Sequence, residues 1–407
     1  MIAKIRAPRK QALTSVDLPA SKSLSNRALI IRALSGKKFE IGNLSEAEDT
    51  IILQRSLESN ENMIDVGAAG TAMRFLTAYY AVAGEEKILT GTERMKQRPI
   101  APLVDALKIL GADIEYLEKT GCPPLKINRS ILTADEVKVD GSISSQFLSA
   151  LLMIAPTLPK GLKITINGNL VSKPYATMTT GLMKYFGVHV LWQGNKLVIP
   201  PQTYIPAVYN TEPDWSSAAF WYAVVALCYN SEISFKGLLK NSLQGDSILP
   251  QLMEEFGVET QFLKNEIVIR KSKSFKQLST INIDFTNFPD LAQCITVLAA
   301  ALDKEVRFSG IENLRIKETD RIAALQNELK KFGKEFVKEG DYYVLNGTFI
   351  ASEQNIETYN DHRMVMAFAP LAICLGNISI ENPGTVKKSY PEFWNDLKRF
   401  GFKVTNP

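Results

Sequence analysis

One phrase recurs along the chain: LKILGADI near Gly111, LMKYFGVHV near Gly187, LMEEFGVET near Gly257, LKKFGKEF near Gly333 and LKRFGFKV near Gly401. In each copy apolar residues at i, i+3 and i+4 argue for a helix. The glycine then supplies the left-handed residue that closes a helix C-terminus, which a Cβ would resist. The spacing is about 70 residues, and a degraded sixth copy, LQRSLESNENMIDV, offers Asn60 in place of the glycine. Repetition of one supersecondary unit therefore constrains the fold more than any other feature.

Between copies lie a second helix (SSQFLSALLMIA, DWSSAAFWYAVVA, PDLAQCITVLAAAL) and short β-branched runs (LKITIN, KLVIP, EISF, EIVIR). Each unit thus mixes about four strands with two helices, a mixed α/β protein. Six units in 407 residues divide as three plus three, within the length of two or three domains. The proline-rich, aperiodic stretch PPQTYIPAVYNTEPDW places a crossing near Tyr209 to Asp214. The strand before about Ala12 can belong to either half.

Composition narrows the function class. Apolar content of 45% and charged content of 22% are those of a globular protein. A net charge of +4 with scattered Lys and Arg suggests small anionic ligands rather than nucleic acid. Four separated cysteines without a CxxC spacing and only two histidines argue for a reduced chain without metal. MIAKIRAPRKQAL lacks the apolar core of a signal peptide, and the longest apolar runs fall far short of a membrane span of about 20 residues. A soluble, cytoplasmic protein is expected.

Polar clusters open the apolar helices. SKSLSNRA places Lys22, Ser23 and Arg27; GAAGTAMRF places Gly70, Thr71 and Arg74; GSISSQ places Ser144, Ser145 and Gln146. FPDLAQ places Asp290, KETDR places Lys317, Glu318, Asp320 and Arg321, and NDHRM places Asp361, His362 and Arg363. Singly, each has an ordinary explanation. Serines cap helices, Asp290 complements a macrodipole, Lys317, Glu318 and Arg321 can pair on a solvated face, and Lys96 with Arg98 can be a basic loop. His189 reads as a structural residue of the strand GVHVLW. Together they resist that account, because cations at helix starts oppose the dipole. Several helix N-termini with several Arg and Lys side chains describe a site for more than one phosphate or carboxylate, and Asp290 and Glu318 are then candidates for proton transfer.

These motifs, in the order SKSLSNRA, GTAMR, RMKQRP, SSQFLSALLM, VSKPY, the proline–aspartate pair, KETDR, NDHRM and KKSYP, resemble the 5-enolpyruvylshikimate-3-phosphate synthases over essentially the full chain. The resemblance implies two similar domains, each of three βαβαββ units (an inside-out α/β barrel, the enolpyruvyl transferase fold). One would span 13–212 and the other 1–12 plus 213–407, with the active site in the cleft between them. It implies transfer of the carboxyvinyl group of phosphoenolpyruvate to the 5-hydroxyl of shikimate 3-phosphate, without cofactor or metal, by a cytoplasmic monomer of the shikimate pathway that binds neither nucleic acid nor membrane and is a target of glyphosate. The positions matching those that hold shikimate 3-phosphate are Lys22, Ser23, Arg27, Ser144, Ser145, Gln146, Ser172, Tyr175, Asp290, Asn313 and Lys317. Those matching the phosphoenolpyruvate site are Lys22, Gly70, Arg98, Gln146, Arg321, His362, Arg363 and Lys388. Asp290, Glu318 and Lys22 match the catalytic, proton-transferring set.

The chain departs from the family where Asn-Ala-Gly-Thr-Ala-Met-Arg-Pro is common: Ala68 stands for the asparagine and Phe75 for the proline. An asparagine contact to phosphoenolpyruvate is lost there. Two other functions stand beside this one. A sister enolpyruvyl transferase acts on UDP-N-acetylglucosamine but uses a loop cysteine that no cysteine here matches. A non-catalytic phosphate-ligand sensor would have no need of Asp290 and Glu318.

Overall fold

The computed structural model describes residues 1–8, 15–142, 144–229, 231–272 and 280–407. The chain forms two compact units, Ala20–Thr211 and Met1–Pro19 with Glu212–Pro407. The first crossing follows Pro19 rather than residue 12, because Ser15–Val16 pair in parallel with Ser234–Phe235 of the discontinuous unit. The second follows Thr211, held by its amide on the Gly42 carbonyl at 3.0 Å.

The repeat is a strand, helix, strand, helix and hairpin. In Ala20–Thr211 one copy runs through strand Met63–Asp65, helix Gly70–Ala83, strand Lys87–Thr90, helix Ala101–Leu110 and strands Asp113–Tyr116 and Leu125–Asn128. The next uses Glu136–Asp140, helix Ser145–Ile154, Leu162–Asn167, helix Lys173–Tyr185, Leu191–Gln193 and Lys196–Ile199. In both sheets the strands lie in the order first, second, fourth, third, with the first two parallel. The sheets Ser15–Val16, Glu232–Lys236, Val258–Phe262, Glu266–Lys271 and Ile281–Asp284, Val306–Ser309, Glu335–Glu339, Tyr342–Asn346 repeat that order. The former is opened between its first strand and its first helix, where all of Ala20–Thr211 is inserted.

Two copies differ from the expected pattern. One is closed by the opposite end of the chain: Asn377–Glu381 and Lys403–Thr405 both pair with Ile2–Arg6, and Ile356 bridges Ile380 in parallel. The other is short, with helices Lys22–Leu34 and Glu48–Glu58 around Ile41–Gly42, which pairs with Tyr209–Asn210. It has no closing hairpin; the chain passes directly to Met63–Asp65 of the next copy. Asn60 accordingly does not replace the repeat's glycine, since the helix ends at Ser59 in an extended conformation (φ −82°, ψ 133°). The five glycines do adopt positive φ, at 114°, 80°, 75°, 75° and 121° for Gly111, Gly187, Gly257, Gly333 and Gly401. His189 falls outside a strand, its amide on Gln202 at 2.9 Å.

Helices form the interior of each unit. Leu24–Ile31 are buried without interruption, and almost all of Trp215–Leu227 is buried, as a helix apolar all round requires. Strands such as Ile2–Arg6 alternate exposed and buried residues, so one face of the sheet meets water. A buried helix keeps four unpaired N–H groups at its start. Polar side chains gather there.

Among the described residues no helix is long and apolar enough to cross a membrane.

Candidate active site

In Ala20–Thr211 three helix starts converge. The Gln146 side chain donates from Nε2 to Thr71 Oγ1 at 3.2 Å, joining the start of Ser145–Ile154 to that of Gly70–Ala83. Arg27 on Lys22–Leu34 donates from Nε to Thr179 Oγ1 at 2.7 Å, from Nη2 to Ser149 Oγ at 3.0 Å and from Nη1 to the Ser23 carbonyl at 2.8 Å. Thr179 donates in turn to the Tyr175 carbonyl at 2.8 Å. The guanidinium also lies 5.5 Å from the centre of the Phe75 ring. Burial pulls its pKa down to about 10, with the neighbouring Tyr175 opposing that shift. A desolvated cation held by neutral oxygens keeps its charge for an anion.

Lys22 Nζ meets Asp49 Oδ2 at 3.0 Å. Arg98 and Gly70 are in direct apposition: a Cβ built on Gly70 would stand 2.9 Å from Arg98 Cζ and 2.9 Å from Arg74 Nη1, and closer still to Arg98 Nη1. Only glycine leaves both guanidiniums where they are. Arg74 donates to the Gly70 carbonyl at 2.8 Å and faces the Phe147 ring. Ser144 is a helix cap, accepting from the Gln146 amide at 3.3 Å, and Ser145 is buried beside it. Ser172 is buried with φ at 58°, a left-handed conformation uncommon for serine, one residue ahead of helix Lys173–Tyr185.

In the other unit the charges form one cluster. Arg321 is almost fully buried and touches three carboxylates: Asp361 Oδ2 at 2.7 Å, Glu318 Oε2 at 2.8 Å and Asp290 Oδ1 at 3.4 Å. Burial alone would lower its pKa, but Asp361, then Glu318 and Asp290, raise it above the ordinary arginine value. Arg363 donates to the Asp290 carbonyl at 2.8 Å and meets its carboxylate at 3.2 Å. Asp361 caps its own helix through the Arg363 amide at 2.8 Å. Lys388 Nζ donates to the Asn360 carbonyl at 3.0 Å, and His362 is buried with Nδ1 3.8 Å from Asp361. Asn313 and Lys317 lie on the segment leading into Arg321–Lys330, which Asp320 caps. Asp290 sits in a short turn ahead of Ala292–Ala301, with its carboxylate between two arginines.

Asp49, Ser149, Thr179 and Asp246 escaped sequence reasoning. Thr179 carried a faint signal, standing four residues after Tyr175 and hence on one helix face with it. Asp246, within the turn Gly245–Ile248, carried none.

The described residues present two sets of fixed cations at helix starts, one of them carrying a carboxylate pair suited to proton transfer. The sequence as a whole is similar to those of known proteins. A family model described as EPSP synthase (3-phosphoshikimate 1-carboxyvinyltransferase) matches residues 51–397. A Bacteroides fragilis protein named 3-phosphoshikimate 1-carboxyvinyltransferase is 44% identical over 399 residues, covering 97% of each chain. A Vibrio atlanticus protein of the same name is 37% identical over 420 residues, covering 96% of this chain and 97% of its own. The solved structure of EPSP synthase from Acinetobacter baumannii superposes over 100% of both chains with a TM-score of 0.78 at 20% identity, which supports the two-domain α/β fold. The chain belongs to the EPSP synthase family.

Proposed function

We propose that both charge clusters serve the family's reaction: transfer of the carboxyvinyl group of phosphoenolpyruvate to the 5-hydroxyl of shikimate 3-phosphate, with release of phosphate, in aromatic amino-acid biosynthesis. The observation that carries the assignment of roles is the Asp290 carboxylate held between Arg321 and Arg363. A carboxylate so placed can accept the 5-hydroxyl proton, while the arginines remain available to phosphoenolpyruvate oxygens. Glu318 or Lys22 protonates the methylene carbon, leaving a cationic C2 that the 5-oxygen attacks. The tetrahedral adduct then loses a methyl proton and breaks its C2–O bond to phosphate. Arg27, Ser23, Ser144, Ser145, Gln146, Ser172, Tyr175, Asn313 and Lys317 hold shikimate 3-phosphate in this reading. Gly70, Arg98, Arg321, His362, Arg363 and Lys388 surround phosphoenolpyruvate, and Lys22 and Gln146 serve both ligands.

The reading is also of a monomer in the cytoplasm; gel filtration tests the first and cell fractionation the second. The reaction is tested by offering phosphoenolpyruvate with either shikimate 3-phosphate or UDP-N-acetylglucosamine. Phosphate release with the former alone is expected. Release with the latter alone would assign the chain to the sister reaction, and binding without release would make it a sensor.

A further inference from the structure

Arg27 is 2% exposed, and every oxygen it donates to is neutral: the Thr179 and Ser149 hydroxyls, the Ser23 carbonyl and, at 3.5 Å, the Tyr175 carbonyl. A buried charge so held still needs compensation, because neutral dipoles replace only part of its lost hydration. A ring supplies more. Phe75, 1% exposed on the neighbouring helix Gly70–Ala83, sets its ring centre 5.5 Å from Arg27 Cζ, within the distance at which a guanidinium is drawn to an aromatic face. Desolvation strengthens that attraction. The proline common at this place in the family has no such face. Four helices thus fix the guanidinium: its own, Gly70–Ala83, Ser145–Ile154 and Lys173–Tyr185. The second Nη1 hydrogen has no acceptor among the described residues, so a donor stays for an anion.

We propose that Phe75 is a positioning residue for shikimate 3-phosphate: the face of its ring holds the Arg27 guanidinium where that ligand meets it, and so sets part of the ligand's affinity. The proposal rests on Arg27 holding shikimate 3-phosphate in the function proposed above. Without the ring, the guanidinium keeps its bonds to Thr179 and Ser149 but loses the surface behind it, and the long side chain has to be ordered when the ligand binds. Ordering one such side chain weakens binding by roughly 2- to 10-fold. Phosphoenolpyruvate, assigned to other arginines, should not register the change.

The test is calorimetric titration of the full chain with shikimate 3-phosphate, paired with the KM for phosphoenolpyruvate. Phe75→Leu removes the ring and keeps an apolar side chain. Phenylalanines with one, two or three ring fluorines, introduced at position 75 alone, keep the shape and progressively weaken the negative face. Phe186→Leu is the control, a fully buried ring of the same core that packs against Phe39 and Tyr209 and faces no cation. Phe75→Leu should weaken shikimate 3-phosphate by roughly 2- to 10-fold with the KM for phosphoenolpyruvate unmoved, and affinity should fall in step with the number of fluorines. Phe186→Leu should lower the melting temperature without moving the Kd. A folded Phe75→Leu with wild-type affinity, an equal loss for both substrates, or an equal loss in Phe186→Leu would overturn the proposal. Affinity indifferent to fluorine would do so as well, leaving the ring as bulk; should Phe75→Leu not fold, that series decides alone. No binding of shikimate 3-phosphate to wild type would refute the functional reading and the proposal with it, whereas binding that ignores the ring refutes the proposal only.

Discussion

Arg363 holds Asp290 by two separate handles, its Nη1 on the main-chain carbonyl at 2.8 Å and its Nη2 against the carboxylate at 3.2 Å. The planar fork reaches the two oxygens from two separate nitrogens, whereas a lysine would have to reach both from one. Arg363→Lys keeps the charge but loses one handle, and a charged hydrogen bond contributes about 1.5–3 kcal/mol. Steady-state kinetics should show kcat/KM for phosphoenolpyruvate falling by roughly 10- to 100-fold. A change within twofold would mean that charge alone matters.

Gly70 lies against Arg98 and Arg74 with no room for a methyl group. Gly70→Ala should displace the Arg98 guanidinium, the far end of a long side chain, while the helix itself persists because alanine favours it. The KM for phosphoenolpyruvate should rise by about tenfold, one charged contact weakened, with the affinity for shikimate 3-phosphate preserved. Equal loss for both ligands would break the division of the site.

Thr179 accepts from Arg27 and donates a hydrogen bond to the Tyr175 carbonyl. Thr179→Val keeps the shape and leaves a buried Nε–H without its acceptor, a cost of about 1–3 kcal/mol. Calorimetry should find weaker binding of shikimate 3-phosphate, with the KM for phosphoenolpyruvate unmoved. Unchanged calorimetric affinity would show that Arg27 does not depend on this threonine.

Asp246, buried and bonded by Ser216 Oγ, makes a prediction about stability that needs no substrate. Burial above all lifts its folded pKa to about 7 from the ordinary 3.8, so between those values the native state binds more protons than the unfolded one. Stability should therefore fall as pH rises from about 4 to 7, by an amount on the order of a few kcal/mol, and level off above. Melting curves of Asp246→Asn should lack that part of the slope. A variant with the wild-type slope would place the carboxyl in water.

Much of this was legible in the sequence because a left-handed glycine after an amphipathic helix is a local signal. Gly111, Gly187, Gly257, Gly333 and Gly401 marked five copies of the unit. Where closure depends on distant chain, the signal fails. The pairing of Ile2–Arg6 with Asn377–Glu381, and the insertion of Ala20–Thr211 behind Ser15–Val16, are set by contacts that no local pattern encodes. The site divides likewise. Arg27, Arg321 and Arg363 stood out because cations at helix starts are anomalous. Thr179 and Ser149 read as unremarkable helix residues until Arg27 is seen between them. Asp246 is defined only by its burial and by the bond it accepts from Ser216, which sequence spacing does not reveal.

The central claim is that Asp290 accepts a proton and does not merely hold its neighbours. Asp290→Asn keeps the shape and the main-chain bond to Arg363 but removes the acceptor, so kcat and the melting temperature of one preparation separate the two roles. The account predicts a fall in kcat of about 10²–10⁴-fold in a protein that still folds and binds shikimate 3-phosphate. A folded variant turning over within about threefold of wild type, far less than general-base catalysis contributes, would contradict it and leave the proton transfers to Glu318 and Lys22.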